Sequence, residues 1–365
     1  MDQRVILFFA DRLPPLIGGM EMHGRYFIEH FSDHKSLPLT GIVTKTPNGE
    51  DCLIAKNHKY VIDIEKLPTL VKPDILFFNS GKWIEELIEL RHLFPSAYFI
   101  YRTGGNEILK APLARQAIFE HKLRQAYWAS SLNQAIDLLI TNSNFTEARL
   151  REIGIKCAFA RCIGGVNPTA LKSKSSIQNN SPLRLFCAAR FVAYKNHELL
   201  LSVFHELILR GQDICLHLAG DGPLLDDIKR QVKAYKLESV VKFLGALDNE
   251  AVCQEITSAD VYIQLSTDYL TKVPGGTYIH TEGMGRSILE ALSAGTFVIA
   301  GKSGALPEMV SEDRGLLVDV NDRTAITDKI EQTLKQLPSK LPPIEDYSWA
   351  NLFSRYEEIM MRLTK

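Results

Sequence analysis

The six cysteines, at positions 52, 157, 162, 187, 215 and 253, include no Cys-x-x-Cys pair. That spacing argues against a metal cluster or a disulfide framework and for buried thiols in a reducing compartment. Charge of one sign is also missing: 42 Lys and Arg stand against 43 Asp and Glu, so no overall field draws the chain to nucleic acid. No long apolar run opens the chain, because MDQRVILFFADRLPP offers only Val5 to Ala10 before Asp11 and Arg12. That is too short for a signal peptide or a membrane span, and a cytoplasmic protein is expected. The Gly-x-Gly-x-x-Gly fingerprint with its following ribose acid is absent, which makes a nicotinamide dehydrogenase the weakest reading. No short-period solenoid repeat is present either.

What is there is globular. A chain of 365 residues exceeds one typical core and predicts two domains, and 45% hydrophobic with 23% charged residues fits an enzyme better than a disordered chain. Apolar runs of strand length recur at Arg4 to Ala10, Ile75 to Phe78, Tyr98 to Tyr101 and Ile136 to Ile140, with helix-like segments between them. Lys172 to Ser181, KSKSSIQNNS, has no apolar anchor and reads as a linker. The alternation resumes at Leu183 to Ala188, Ile214 to Ala219, Val240 to Gly245, Val261 to Ser266, Thr296 to Ala300 and Gly315 to Val320. Two successive α/β halves with parallel sheets are expected, with ligands beyond the carboxyl ends of the strands. A Pro-containing stretch then leads to an amphipathic helix over Ser348 to Leu363.

The chain is organised around His280 to Ala300, HTEGMGRSILEALSAGTFVIA. Gly283 and Gly285 let backbone approach a ligand, and the N–H groups opening a helix at about Arg286 and Ser287 form an anion site. Glu282 in the loop and Glu290 in the helix can face one cleft, one carboxylate taking sugar hydroxyls and the other a ribose. Elsewhere, Arg190 and Lys195 follow the strand Leu183 to Ala188, where a fixed guanidinium fork and a point charge can grip a diphosphate from two sides. Surface salt bridges are the plain alternative for that pair.

The first half offers less. Gly18 and Gly19 sit in a turn between the first strand and a helix bearing His23. The exit Arg102-Thr103-Gly104-Gly105-Asn106-Glu107 gathers a cation, a hydroxyl, an amide and a carboxylate at one strand end. Arg102, Thr103, Asn106, His23 and His280 are therefore candidate acceptor or sugar contacts. Thr141-Asn142-Ser143-Asn144 reads as a helix N-cap. Lys110 to Arg124 is a mildly basic amphipathic stretch, either a solvated face or one that rests on anionic lipid.

Assembled in order, GGMEMH, ARFVAYKNHELLLSVF, LAGDGPLLDDIK, VKFLGALDNEAVCQEITSADVYIQLS, TEGMGRSILEALSAGTFVIA and GALPEMVSEDRGLLVDVND resemble glycosyltransferase family 4, over most of residues 183 to 325. The resemblance implies a GT-B fold: two Rossmann-like α/β domains facing across a cleft, with a C-terminal helix crossing back to the first. On that pattern residues 1–171 with 346–365 form an acceptor domain, 172–182 a linker and 183–345 a nucleotide-sugar donor domain. It implies retaining transfer of a sugar from a nucleotide diphosphate donor to a glycan, glycolipid or other hydroxyl acceptor, with no metal or cofactor. Arg190 and Lys195 would hold the diphosphate, Glu282 the donor sugar and Glu290 the ribose, with Gly18 and Gly19 closing over the phosphates. Peripheral contact with the inner membrane surface would suit a lipid-linked acceptor. An epimerase or phosphorylase of the same fold, or a non-catalytic nucleotide-sugar-binding subunit, are the alternatives.

Two departures from the family stand out. Many members carry a histidine where this chain has Tyr101-Arg102-Thr103-Gly104-Gly105-Asn106, and Thr267 to Thr281 is longer than usual. The longer segment, with Pro274, Gly275 and Gly276, is either a flap over a substrate or an inert insertion.

Overall fold

The computed structural model describes residues 3–11, 13, 19–44, 59–61, 64–79, 83–110, 121–167, 182–273, 276–342 and 344–363. The chain forms two compact units. The first comprises Met1–Gly165, Lys272–Tyr278 and Trp349–Lys365, and the second Val166–Thr271 and Ile279–Ser348. Gly18, the serine and glycine after Asn79, residues 172–181 of the linker, 111–120 of the basic stretch, Pro274 and Gly275 lie outside the described residues.

Strands of the first unit are β1 (Ile6–Ala10), β2 (Leu39–Thr44), β3 (Lys59–Val61), β4 (Ile75–Asn79), β5 (Tyr98–Arg102), β6 (Leu138–Thr141) and β7 (Ala158–Arg161). They form one parallel sheet in the order β3-β2-β1-β4-β5-β6-β7. β1 throughout, and β4 up to its final Asn79, are apolar because helices cover both faces, which is how parallel sheets escape solvent. Their phenylalanines pair in register, Phe8 with Phe77 on one face and Phe9 with Phe78 on the other. Phe9 and Phe78 stack at 4.6 Å, with Trp83 edge-on to Phe9 at 5.1 Å.

The opposite face is closed by the helices Gly19–Phe31 and Trp349–Arg362. Trp349, Leu352, Phe353, Tyr356 and Met360 recur at helical spacing and are buried in that face's core. The last helix thus belongs to the first unit. Glu357 accepts from His30 Nε2 at 2.5 Å and stands 3.4 Å from His34 Nε2, pinning one helix to the other. His34 Nδ1 accepts from Leu37 N–H at 3.0 Å, so the neutral ring carries its proton on Nε2 and donates to the carboxylate.

Strands of the second unit are β8 (Leu183–Ala188), β9 (Ile214–Ala219), β10 (Val241–Gly245), β11 (Val261–Gln264), β14 (Phe297–Gly301) and β15 (Gly315–Val318). Their order is β10-β9-β8-β11-β14-β15, again parallel. Chain direction across the sheet reverses between β8 and β11, the switch point where open α/β sheets leave a crevice at the strand ends. Arg190 and Lys195 follow β8, and Ser266 follows β11.

Between β11 and β14 lies a two-stranded sheet, β12 (Tyr269–Val273) with β13 (Gly276–His280). The lengthened segment is therefore built as strands, and its part Lys272–Tyr278 is counted with the first unit. There Tyr278 is buried, and its hydroxyl donates to Asn106 Oδ1 at 2.6 Å. Among the described residues, no helix is long and apolar enough to cross a membrane.

Candidate functional site

Several buried polar groups of the second unit, Gln264, Ser266 and Glu282 among them, gather at the switch point. Lys195 ends a short 3-10 turn, Ala193–Lys195, after which Asn196 takes a left-handed conformation (φ 55°) and the helix His197–Leu209 begins. This turn carries Lys195 back toward the loop before the helix Arg286–Ala294, and its Nζ lies 2.5 Å from Glu282 Oε1. The two side chains are 13% and 8% exposed, so the ion pair is largely withdrawn from water. Arg190 differs: it is exposed, and its guanidinium makes no hydrogen bond or ion pair with another described residue.

Glu282 is held on three sides. Its Oε1 also accepts from Ser266 Oγ at 2.8 Å and from Gln264 Nε2 at 3.0 Å. Its backbone carbonyl accepts from Ala305 N at 2.8 Å. Gly304, at φ +51°, passes so close that a Cβ there would stand 2.1 Å from the Glu282 carbonyl oxygen. Only glycine fits such an approach in that backbone region.

The helix Arg286–Ala294 starts from Gly285, which is left-handed at φ 67°. A Cβ on Gly285 would meet Leu306 Cδ2 at 2.6 Å, so the loop through Gly283 and Met284 can enter the helix this tightly only with glycine at that position. Its first N–H groups have no partner within the helix and favour an anion. Ser287 sits in this first turn with its Oγ 2.7 Å from Tyr262 Oη. Tyr262 is fully buried, and burial pushes its phenol well above the usual range. One turn on, Glu290 Oε1 accepts from Asn249 Nδ2 at 2.8 Å and lies 3.3 Å from Arg286 Nε. Burial raises the Glu290 pKa, an effect that Arg286 and Asn249 oppose.

Aromatic groups flank the pair. The Tyr194 ring stacks on His280 at 5.5 Å and 10°, with Lys195 Nζ 5.4 Å from the same ring centroid. His197 stacks on Phe191 at 4.2 Å, and its buried Nε2 finds no hydrogen-bond partner among the described residues. Burial, followed by the neighbouring Lys195 charge, lowers its pKa to about 4.

The structure thus brings Lys195, Glu282, Gly285, Ser287 and His280 into one region of the second unit, with Arg190 exposed on the same strand exit. In the first unit the candidates separate. Gly19 opens the helix Gly19–Phe31 and has open space where a Cβ would stand. His23 is wholly buried: its ring lies among Phe27, Phe77, Trp349 and Phe353, and Nε2 is 3.2 Å from Tyr356 Oη. Its place is the core under the last helix, where no acceptor reaches it, because it falls on the inner face of its own helix. Thr103 is likewise buried, its hydroxyl bonded to Glu107 at 2.5 Å and to Gly105 N–H at 2.8 Å, which makes it a turn-forming residue. Arg102 remains partly exposed at the end of β5, with Nη1 3.3 Å from Asn79 Oδ1. Asn106 is exposed, but its carbonyl is taken by Tyr278.

Tyr262, Gln264 and Ser266 were not singled out in the sequence. Their signal is a period of two: in Val261-Tyr262-Ile263-Gln264-Leu265-Ser266, hydrogen-bonding side chains alternate with aliphatic ones in a run buried on both faces. Asn249, placed by its helix against Glu290, had no comparable signal.

Comparison with known proteins bears on the family and the fold. Residues 169–342 match the family described as glycosyl transferases group 1. A GDP-mannose-dependent monoacylated alpha-(1-6)-phosphatidylinositol monomannoside mannosyltransferase of Corynebacterium glutamicum is 29% identical, over 92% of this chain and 88% of that protein. An alpha-monoglucosyldiacylglycerol synthase of Streptococcus pneumoniae is 30% identical, over 64% of this chain and 51% of that protein. Among solved structures, Anabaena HepE in complex with UDP and glucose superposes with a TM-score of 0.75 at 16% identity, covering 99% of this chain and all of that one.

Proposed function

We propose that the chain, whose residues 169–342 match the group 1 glycosyl transferases and whose fold is GT-B, moves a hexose from a nucleotide diphosphate donor to a lipid-linked or glycan hydroxyl. In this reading transfer retains the anomeric configuration and uses no metal. One observation carries it: Lys195 and Glu282, brought from the exit of β8 and the loop before the helix Arg286–Ala294, meet beside that helix's N-terminus. Cation, carboxylate and helix-terminal amides are the three kinds of group that suit a sugar diphosphate.

Charge then decides the roles. As the bond from the anomeric carbon to the diphosphate oxygen breaks, negative charge grows on the leaving group. Arg190, Lys195 and the amides at Arg286 and Ser287 stabilise that charge more in the transition state than in the ground state. The acceptor oxygen forms the new bond to the anomeric carbon, and its proton leaves toward the departing phosphate. Glu282 accepts from a sugar hydroxyl and Glu290 from the ribose. Arg102, partly exposed at the end of β5, is the first-unit cation assigned to an acceptor.

A lipid-linked acceptor is favoured by the names of the relatives from Corynebacterium and Streptococcus, which concern phosphatidylinositol and diacylglycerol. Exposed Leu123 and Tyr127 lie one turn apart on the helix His121–Ala135 beside exposed Lys122, a face suited to a peripheral site at the cytoplasmic side of a membrane.

The test is donor hydrolysis and thermal stabilisation across UDP-, GDP- and ADP-sugars, with EDTA throughout, for the wild type and Glu282→Gln. Stabilisation and slow hydrolysis with one donor, weakened in the variant, supports the reading. Activity that disappears with EDTA and returns with a divalent cation would remove the metal-free part. No response to any nucleotide sugar, in the presence of lipid and glycan acceptors, would overturn the whole.

A further inference from the structure

We infer that Gln264 is a positioning residue that aims Glu282, fixing one carboxylate oxygen so that the other is presented to the donor sugar. This rests on the assignment of Glu282 to the sugar, and it assigns work to a side chain that touches no substrate.

Gln264 is 0% exposed, at the last position of β11. A primary amide in such a place must satisfy two donors and a carbonyl without water. Here it does so in one way. Nε2 gives one proton to Ser266 Oγ at 2.9 Å and the other to Glu282 Oε1 at 3.0 Å. The carbonyl oxygen faces the hydroxyls of Tyr262 at 3.1 Å and Ser287 at 3.4 Å. Rotating the amide by half a turn would set its carbonyl against the Glu282 carboxylate, so the neighbours dictate which end is which. Ser266 takes a proton from Gln264 and passes its own to Glu282 Oε1 at 2.8 Å. The proton directions close with no conflict.

The result is asymmetric. Lys195, Ser266 and Gln264 all donate to Oε1, and no described donor reaches Oε2. Lys195 is the one of the three that a bound diphosphate would also attract. When its ammonium is shared with phosphate, the two neutral donors on β11 and its exit remain to hold the carboxylate. Ser287, in the first turn of the anion-binding helix, touches the same amide from the other side. The strand thereby joins the sugar end of the site to its phosphate end.

The experiment compares Gln264→Met, which keeps the side-chain length, with Glu282→Ala and the double variant, measuring donor kcat/KM and Tm. Gln264→Met is expected to lose about 10- to 100-fold in kcat/KM, the worth of a buried hydrogen bond to a charged group. The double variant is expected to be no slower than Glu282→Ala, because a residue that acts only through Glu282 has nothing left to orient. Wild-type turnover in Gln264→Met, or losses that multiply in the double variant, would overturn the inference. Wild-type turnover in Glu282→Ala would instead overturn the sugar assignment beneath it. Gln264→Glu decides the matter even if the methionine variant fails to fold. Two carboxylates at this distance share a proton, so its activity should appear on acidification and fall at alkaline pH relative to wild type. A pH profile superposable on the wild type would count against positioning.

Discussion

Lys195 Nζ stands 2.5 Å from Glu282 Oε1, although the two residues are 87 positions apart. Read from sequence, they take different ends of a donor, diphosphate and sugar. In the structure they satisfy each other. Removing one partner of a pair this withdrawn from water leaves a charge uncompensated, at a cost of roughly 3 to 5 kcal/mol. Glu282→Ala should therefore lower Tm as well as turnover, whereas Glu282→Gln should keep more of the stability and still lose most of the turnover. Arg190→Ala, at an exposed position whose side chain has no partner among the described residues, should lose turnover about 100-fold with Tm unchanged. Thermal melts and donor kinetics on the three variants check this.

Gly304→Ala tests the close backbone approach under Glu282. With φ at +51° and a Cβ 2.1 Å from the Glu282 carbonyl oxygen, the loop must move or strain. A loss of about 3 kcal/mol in denaturant unfolding is expected, together with a drop in kcat. Gly154→Ala is the control. It too has positive φ, but open space surrounds its Cβ, so its loss should be smaller and confined to stability.

His197 gives the second unit an acid limit. Its pKa is lowered from the ordinary 6.5 to about 4 in the folded state, so the unfolded chain binds the proton first. The resulting stability is present above about pH 6.5 and is lost as pH falls toward 4, an order of 3 kcal/mol for this single group. His197→Phe keeps a ring stacked on Phe191 and removes the proton. Its Tm should fall less steeply than the wild type's between pH 6.5 and 4; parallel curves would show that other groups govern acid unfolding.

Much of this fold was legible because buried parallel strands are mostly apolar. β8 and β9 carry the bounds expected from their runs, and the helix after Gly285 begins at Arg286 as its glycines suggest. β2 and β7 were not legible. In β2, Leu39–Thr44, a glycine and two threonines interrupt the apolar run, and β7, Ala158–Arg161, is a four-residue edge strand with no buried residue. For the site, Arg190, Lys195, Glu282 and Ser287 stood out because charge or hydroxyl follows a strand or opens a helix. His23 misled for a physical reason: polar residues at helical spacing do not say which face is inward, and here Tyr356, from the far end of the chain, supplies its partner. Gln264 passed unnoticed since a neutral amide inside an apolar strand has meaning only once its partners are known.

Trp349, Phe353 and Tyr356 fill a core whose other walls are made from residues 6 to 162, and Tyr278 completes the opposite core of the same unit. During synthesis the first unit therefore waits. β1 to β7 leave the ribosome with one face covered only in part, by the helix Gly19–Phe31, and they remain so while the whole of the second unit is made. The last helix is the step that finishes the first unit, and a nascent chain stopped before Trp349 would present a wall of phenylalanine, with Phe8, Phe27 and Phe77 in it, to chaperones.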